Sequence, residues 1–148
     1  MRKKTSTWFE TKVRYEKMME DGLQKKVTEQ YVVDALSFTE AESKITEEMS
    51  HYVSDGMVVS SIARAPYSEI FFSDDSTDDS FFKAKLHFIT LDERTGKEKK
   101  TVVIYLVQAA NLEKARKYID LVMAETMIDY KIAGLNETKI LDVFEHTA

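Results

Sequence analysis

The sequence predicts an α+β fold: two tandem ββαββ repeats in a pseudo-two-fold, permuted ββββα arrangement of antiparallel sheets with two helices. Three observations predict it. Residues 8–18 and 81–90 alternate apolar and polar side chains, the period of a half-buried strand. Residues 38–52 and 112–123 instead carry apolar side chains at helical spacing. The two halves of the chain also match one another in order, the mark of an internal repeat.

In the first strand Phe9, Val13 and Tyr15 share one face. A turn carrying Gly22 leads to its hairpin partner. The first helix begins after Ser37, with Glu40 three residues on at capping-box spacing. Positions 38, 41, 45, 49 and 52 form its apolar stripe, while Glu40, Glu47 and Glu48 face water. Short strands at about 57–64 and 67–73 follow, with Pro66 in the turn between them. In 81–90, Phe82, Ala84, Leu86 and Phe88 point one way, and a polar turn over 92–97 containing Gly96 opens into the β-branched strand 99–108. Asn111 is a good N-cap for a helix that turns Leu112, Ala115, Ile119, Val122 and Met123 inward. Strands at 129–135 and 138–145, punctuated by Gly134, complete the second copy.

The internal match pairs Trp8 and Phe9 with Phe81 and Phe82, Lys12 with Lys85, Val13 with Leu86 and Tyr15 with Phe88. After the turns it pairs Lys25-Lys26 with Lys99-Lys100, Tyr31 with Tyr105, and the apolar helix positions Ile45 and Met49 with Ile119 and Met123. Beyond the helices Ile62-Ala63 is set against Ile132-Ala133 and Ile70 against Ile140. One compact domain over 1–148 is expected, built of repeats at about 8–73 and 81–145. Residues 57–127 read as a four-strand meander followed by a helix, and two such units packed as a pseudo-dimer would cover each other's apolar faces. The acidic stretch 73–80 then forms a solvated junction loop.

Composition narrows the function classes. The 148 residues are 43% hydrophobic and 11% aromatic, enough for a core. No apolar run approaches the roughly 18 residues of a membrane span. The opening Met1-Arg2-Lys3-Lys4 lacks a secretory signal's apolar stretch, so a cytoplasmic location and no membrane partner are expected. The absence of cysteine excludes disulfides, thiolate metal sites and a cysteine nucleophile. His51, His87 and His146 show no metal-ligand spacing. Counted from Asp74, an EF-hand would need glycine where Asp79 stands and glutamate where Lys85 stands. No phosphate loop, dinucleotide fingerprint or nucleophile elbow occurs. The reading is therefore no catalytic residues, no metal, no cofactor and no enzyme.

A net charge of −5 argues against a uniformly basic nucleic-acid coat, yet a local basic face depends on how charge is distributed. The far face of the first strand shows Trp8, Glu10, Lys12, Arg14 and Glu16; its counterpart shows Phe81, Lys83, Lys85, His87 and Ile89. The paired strands add Lys25, Lys26 and Tyr31, or Lys99, Lys100 and Tyr105. Single-stranded nucleic acid needs cations for its phosphates and flat rings for its unstacked bases. Lysines on an exposed strand also guard sheets against aggregation, and Trp8 and Phe81 have a second use, burial against a partner sheet.

The segments Trp8-Phe9-Glu10-Thr11-Lys12-Val13-Arg14-Tyr15-Glu16-Lys17, Val33-Asp34-Ala35-Leu36-Ser37-Phe38-Thr39-Glu40-Ala41-Glu42 and Tyr67-Ser68-Glu69-Ile70-Phe71-Phe72-Ser73-Asp74-Asp75 resemble an uncharacterised protein family of gut Bacteroidetes and their bacteriophages, over nearly the whole chain. The ββββα unit used twice with a basic, aromatic sheet is similar in architecture to the PC4, Whirly and PUR-alpha group. That resemblance implies a curved sheet grasping single strands.

The leading expectation is non-catalytic binding of single-stranded nucleic acid, DNA more than RNA. Lys12, Arg14, Lys83 and Lys85 would meet phosphates, Trp8, Tyr31, Phe81 and Tyr105 would stack bases, and Lys25, Lys26, Lys99 and Lys100 would extend the track. The alternative is an accessory protein that binds a protein or small molecule in a groove between the repeats. A monomer of pseudo-dimeric repeats is expected, with a homodimer as the other possibility.

Overall fold

The computed structural model describes residues 1–53 and 55–146. Among them are the strands Arg2–Lys4 (β1), Trp8–Met18 (β2), Gln24–Asp34 (β3), Val58–Arg64 (β4), Glu69–Phe72 (β5), Ser80–Leu91 (β6), Glu98–Ala109 (β7), Asp129–Glu137 (β8) and Ile140–Phe144 (β9). The helices are Phe38–Met49 (α1) and Leu112–Ala124 (α2). The α+β class and each expected strand and helix are present; β1 is an addition. Neither helix is long and apolar enough to cross a membrane.

The chain divides into two compact units. One holds Met1–Thr5 and Tyr67–Thr138, with a five-stranded sheet ordered β1-β5-β7-β6-β8. The other holds Ser6–Pro66 and Lys139–Ala148, with a four-stranded sheet ordered β4-β2-β3-β9. Set β1 aside and the two orders correspond strand for strand, β9-β3-β2-β4 matching β5-β7-β6-β8.

This arrangement corrects the expected hairpins after each helix and the meander over 57–127. β4 and β5 lie in different sheets, as do β8 and β9. β5 instead runs parallel to β7, and β9 parallel to β3. β5 thus joins the sheet of β6, β7 and β8, and β9 joins that of β2, β3 and β4, and neither sheet is wholly antiparallel. The ladders also move the late matches by three residues. Val59 faces Val13 as Ile132 faces Leu86, so Ile62 answers to Leu135 rather than Ile132. Val143 flanks Val32 as Ile70 flanks Leu106, so Ile70 answers to Val143 rather than Ile140. A β-bulge falls between Lys12 and Val13 in one sheet and between Lys85 and Leu86 in the other.

Local chemistry fixes the helices. Ser37 Oγ accepts from the Glu40 amide at 3.1 Å, and the Glu40 carboxylate accepts from the Leu36 amide at 3.2 Å. Asn111 Oδ1 accepts from the Lys114 amide at 2.8 Å. Ala41, Ile45 and Met49 of α1 are buried with Phe9, Val13 and Val33. Ile119 and Met123 of α2 are buried with Phe71, Leu86 and Val107. Phe38 and Tyr52, expected on the buried stripe, are 49% and 74% exposed. The hairpin tips need left-handed backbone at Gly22 (φ 82°) and Gly96 (φ 69°), which L side chains adopt reluctantly.

The junction 73–80 is not a solvated loop throughout, because Asp78 is buried. Its carboxylate accepts from Tyr118 Oη at 2.5 Å, from the Ala110 amide at 2.8 Å and from Ser73 Oγ. Lys114 Nζ lies 2.8 Å from Asp78 and 3.0 Å from Asp75. Burial works to raise the Asp78 pKa, but the hydrogen bonds from Lys114, Ser73 and Tyr118 outweigh it and the net shift is down. The same bonds, Asp78 first and Asp75 next, hold the Lys114 ammonium above the usual lysine range.

Candidate functional site

Strand alternation fixes which side chains can act together. On β6, Phe82, Ala84 and Leu86 face α2, which leaves Lys83, Lys85 and His87 on the far side of the sheet. The register sets Lys85 beside Ile104 of β7 and Gly134 of β8, and His87 beside Val102 and Lys131. Lys100 follows on β7 opposite Ile89. Lys83, Lys85, His87, Lys100 and Lys131 therefore share one face of three adjacent strands. Among the described residues none of these five has an ion-pair partner.

The four-stranded sheet repeats the device with fewer cations. Lys12 stands between Gln30 and Ser61, and Arg14 between Thr28 and Val58. Lys26 follows on β3 opposite Glu16, and Arg14 and Lys26 line an open hollow of about 540 Å³ together with the carboxylates of Glu16 and Asp55. Lys12, Arg14 and Lys26 likewise lack ion-pair partners among the described residues.

Not every expected residue joins these faces. Lys25 and Lys99 adjoin Lys26 and Lys100 in sequence, so alternation turns them to the opposite side. The four expected stacking rings are also misplaced for that role. Trp8 and Phe81 occupy the cation-bearing faces, but each is only 2% exposed and offers no surface to a base. Tyr105 is buried in the core under α2, and Tyr31 faces α1. The cation-bearing faces are finished instead by exposed Val58 and Val102. These faces offer cations, and none of the four expected rings stands open to solvent on them.

The helix-side face of the four-stranded unit holds a feature that the sequence reading missed. Beyond the end of α1 an open groove of about 670 Å³ is lined by rings of Tyr15, Tyr31, Tyr52 and Phe144 and by the carboxylates of Glu29 and Asp142. Glu29, with a side chain 12% exposed, accepts hydrogen bonds from Tyr15 Oη at 2.7 Å and Tyr31 Oη at 3.1 Å. Lys17 Nζ stands 3.8 Å from its other oxygen. Tyr31 and Phe144 stack with centroids 5.3 Å apart. Burial first, then the bond to Glu29, pushes the Tyr15 pKa up to about 12. Burial and the Glu29 charge raise Tyr31 as well, so both remain neutral donors. Asp142 reaches solvent at the groove wall, yet the protein around it desolvates its carboxyl and raises its pKa. Glu29 was detectable in the sequence: it takes the core-facing position that Val103 holds in the other copy.

Among the described residues, no group of three or more histidine, aspartate or glutamate side chains is placed to hold a metal ion. No curated protein and no solved structure matches the chain. A family model does match, over residues 7–146, and the chain belongs to that family, described as Domain of unknown function (DUF4494).

Proposed function

We propose that this protein is a non-catalytic binder of single-stranded nucleic acid, DNA more than RNA, which grips phosphates with its cationic sheet faces. It acts in a bacterial or phage-infected cytoplasm. The observation that carries the reading is the face of Lys83, Lys85, His87, Lys100 and Lys131, none of them ion-paired among the described residues, on a chain of net charge −5. Asp129, opposite Ile89, and Glu98, opposite Leu91, stand toward the hairpin end of the same face, so the positive potential is local to the patch around Lys83, Lys85, His87 and Lys131. A duplex is stiff over about 150 bp, whereas a single strand can follow the twist of a sheet. Base recognition contributes little, because the rings expected to stack are buried or turned toward the helices.

The test is equilibrium binding of a fluorescently labelled oligothymidylate across a sodium chloride series, with a duplex of equal length alongside. Binding through several phosphates makes log affinity fall linearly with log salt, by about 0.7 per neutralised phosphate of a single strand. The reading expects that fall and a preference for the single strand. Absence of binding at low salt defeats it, and so does binding indifferent to salt.

A further inference from the structure

The groove beyond α1 is chemically unlike the basic faces. Its lining includes four carboxylates, Glu16, Glu29, Asp55 and Asp142, against the single ammonium of Lys17. Four aromatic rings stand among them. Carboxylates supply charge and ring faces supply quadrupole attraction, the pairing by which proteins hold ammonium and guanidinium groups.

The corresponding place in the five-stranded unit shows that this opening is not a requirement of the fold. There Phe88 and Val103 occupy the positions of Tyr15 and Glu29, and they pack against a core containing Tyr105, Phe71 and Met123. Glu69 pairs with Tyr105 in register as Asp142 pairs with Tyr31. Glu69 is met by a cation, Lys3 Nζ of β1 at 3.8 Å. The four-stranded sheet has no strand corresponding to β1 among the described residues, and Asp142 has no cationic partner there. One unit thus fills this place with apolar side chains and neutralises its carboxylate internally. The other opens it, lines it with acids and tyrosines, and leaves the carboxylate unmatched.

The geometry points to this groove as a binding site for a small organic cation, an alkylammonium or guanidinium compound, seated against the rings of Tyr31 and Tyr52 with its charge toward Glu29 and Asp142. Tyr15 and Tyr31 hold Glu29 in place through their hydroxyls, so the carboxylate is oriented before the ligand arrives. Lys17, whose side chain is 52% exposed, can swing away from Glu29 as the ligand enters. The groove adjoins the hollow of Arg14 and Lys26, with which it shares Tyr15, Glu16 and Asp55, but its ligand is a cation and its test does not involve nucleic acid.

The probes are tetramethylammonium, putrescine and agmatine, each titrated by calorimetry into the full chain, with sodium chloride of matched ionic strength as the blank. At least one should bind saturably. The Glu29→Gln/Asp142→Asn double variant should weaken that binding tenfold or more, while Asp74→Asn/Asp79→Asn, which removes two charges elsewhere, should leave it unchanged. Failure of all three cations to saturate at about 10 mM, a limit near 3 kcal/mol of binding free energy, overturns the proposal. Undiminished binding by the double amide variant overturns it too. Should that variant not fold, Tyr52→Ala removes an exposed ring at the mouth, and unchanged affinity in it is equally fatal to the idea.

Discussion

Tyr118 of α2 donates its hydroxyl to Asp78 at 2.5 Å and so ties the helix to the segment that leads into β6. The same carboxylate takes the Ala110 amide just ahead of the helix, and Lys114 from the first turns of α2. One buried side chain thus holds the start of a helix, a strand and the junction between the two sequence copies. Asp78→Asn leaves the Lys114 ammonium facing a neutral amide and weakens every bond to it. We expect a loss of about 2–3 kcal/mol, the range for hydrogen bonds to a charged group. Tyr118→Phe, which removes one donor, should cost about 1–2 kcal/mol. Urea denaturation of the two variants checks both, and Asp78→Asn should be the more damaging.

The acid limb of stability should report the same network. The folded-state pKa of Asp78 is depressed, and so is that of Asp75, held down by hydrogen bonds from Thr77 and then from Lys114. A depressed carboxyl contributes stability above its unfolded pKa, about 3.9, and the contribution disappears as pH falls through the folded value. The gap in melting temperature between wild type and Asp78→Asn should therefore be constant from about pH 5 to 8. Below about pH 4 it should narrow. A gap that widens toward acid would mean that the carboxylate is destabilising where it stands.

Trp8 offers a test of burial against stacking. Its ring is 2% exposed, and its Nε1 finds no hydrogen-bond partner among the described residues. Phe81 holds the corresponding position of the other sheet and is equally buried. Trp8→Phe gives up some contact area but removes a buried, unpaired donor worth about 1–3 kcal/mol. The exchange should be close to neutral. Trp8→Ala, which opens a cavity, should cost about 3–5 kcal/mol. Native Trp8 emission should be blue-shifted and unaltered by saturating oligothymidylate. Strong quenching by the oligonucleotide would return this ring to the interface.

Much of this architecture was legible because its signals are local. Ser37 and Asn111 cap the helices through bonds three residues away, and the Gly22 and Gly96 turns join strands that are neighbours in sequence. The destinations of β5 and β9 were not legible. Glu69–Phe72 reads as an apolar run following a turn, and nothing within it says that its partner is Tyr105 to Val107 running parallel. β1, Arg2-Lys3-Lys4, carries no apolar pattern and is recruited by the backbone edge of β5. At the candidate site, alternation correctly places Lys12, Arg14, Lys83 and Lys85 on the faces away from the helices. It tells which face a ring occupies and not what covers it, which is why Trp8 and Phe81 read as surface residues. The groove stayed hidden because Glu29 and Asp142 meet only when β9 lies beside β3.

The cationic faces make a prediction that depends on side-chain direction as well as charge. Lys83 and Lys85 alternate outward from β6, while Lys25 and Lys99 turn toward the helix side of their sheets. If Lys83 and Lys85 each neutralise one phosphate, Lys83→Ala/Lys85→Ala should flatten the plot of log affinity against log salt by about 1.4, twice the single-strand value. Lys25→Ala/Lys99→Ala changes net charge by the same amount and should leave the slope as it is. The reversal Lys83→Glu/Lys85→Glu should abolish binding at low salt without lowering the melting temperature by more than a few degrees, because among the described residues neither lysine has an ion-pair partner to lose. Filter binding of labelled oligothymidylate separates the cases. Equal slopes for the two alanine pairs would show that net charge rather than this face draws the nucleic acid in, and the assignment of Lys83 and Lys85 to the site would have to be withdrawn.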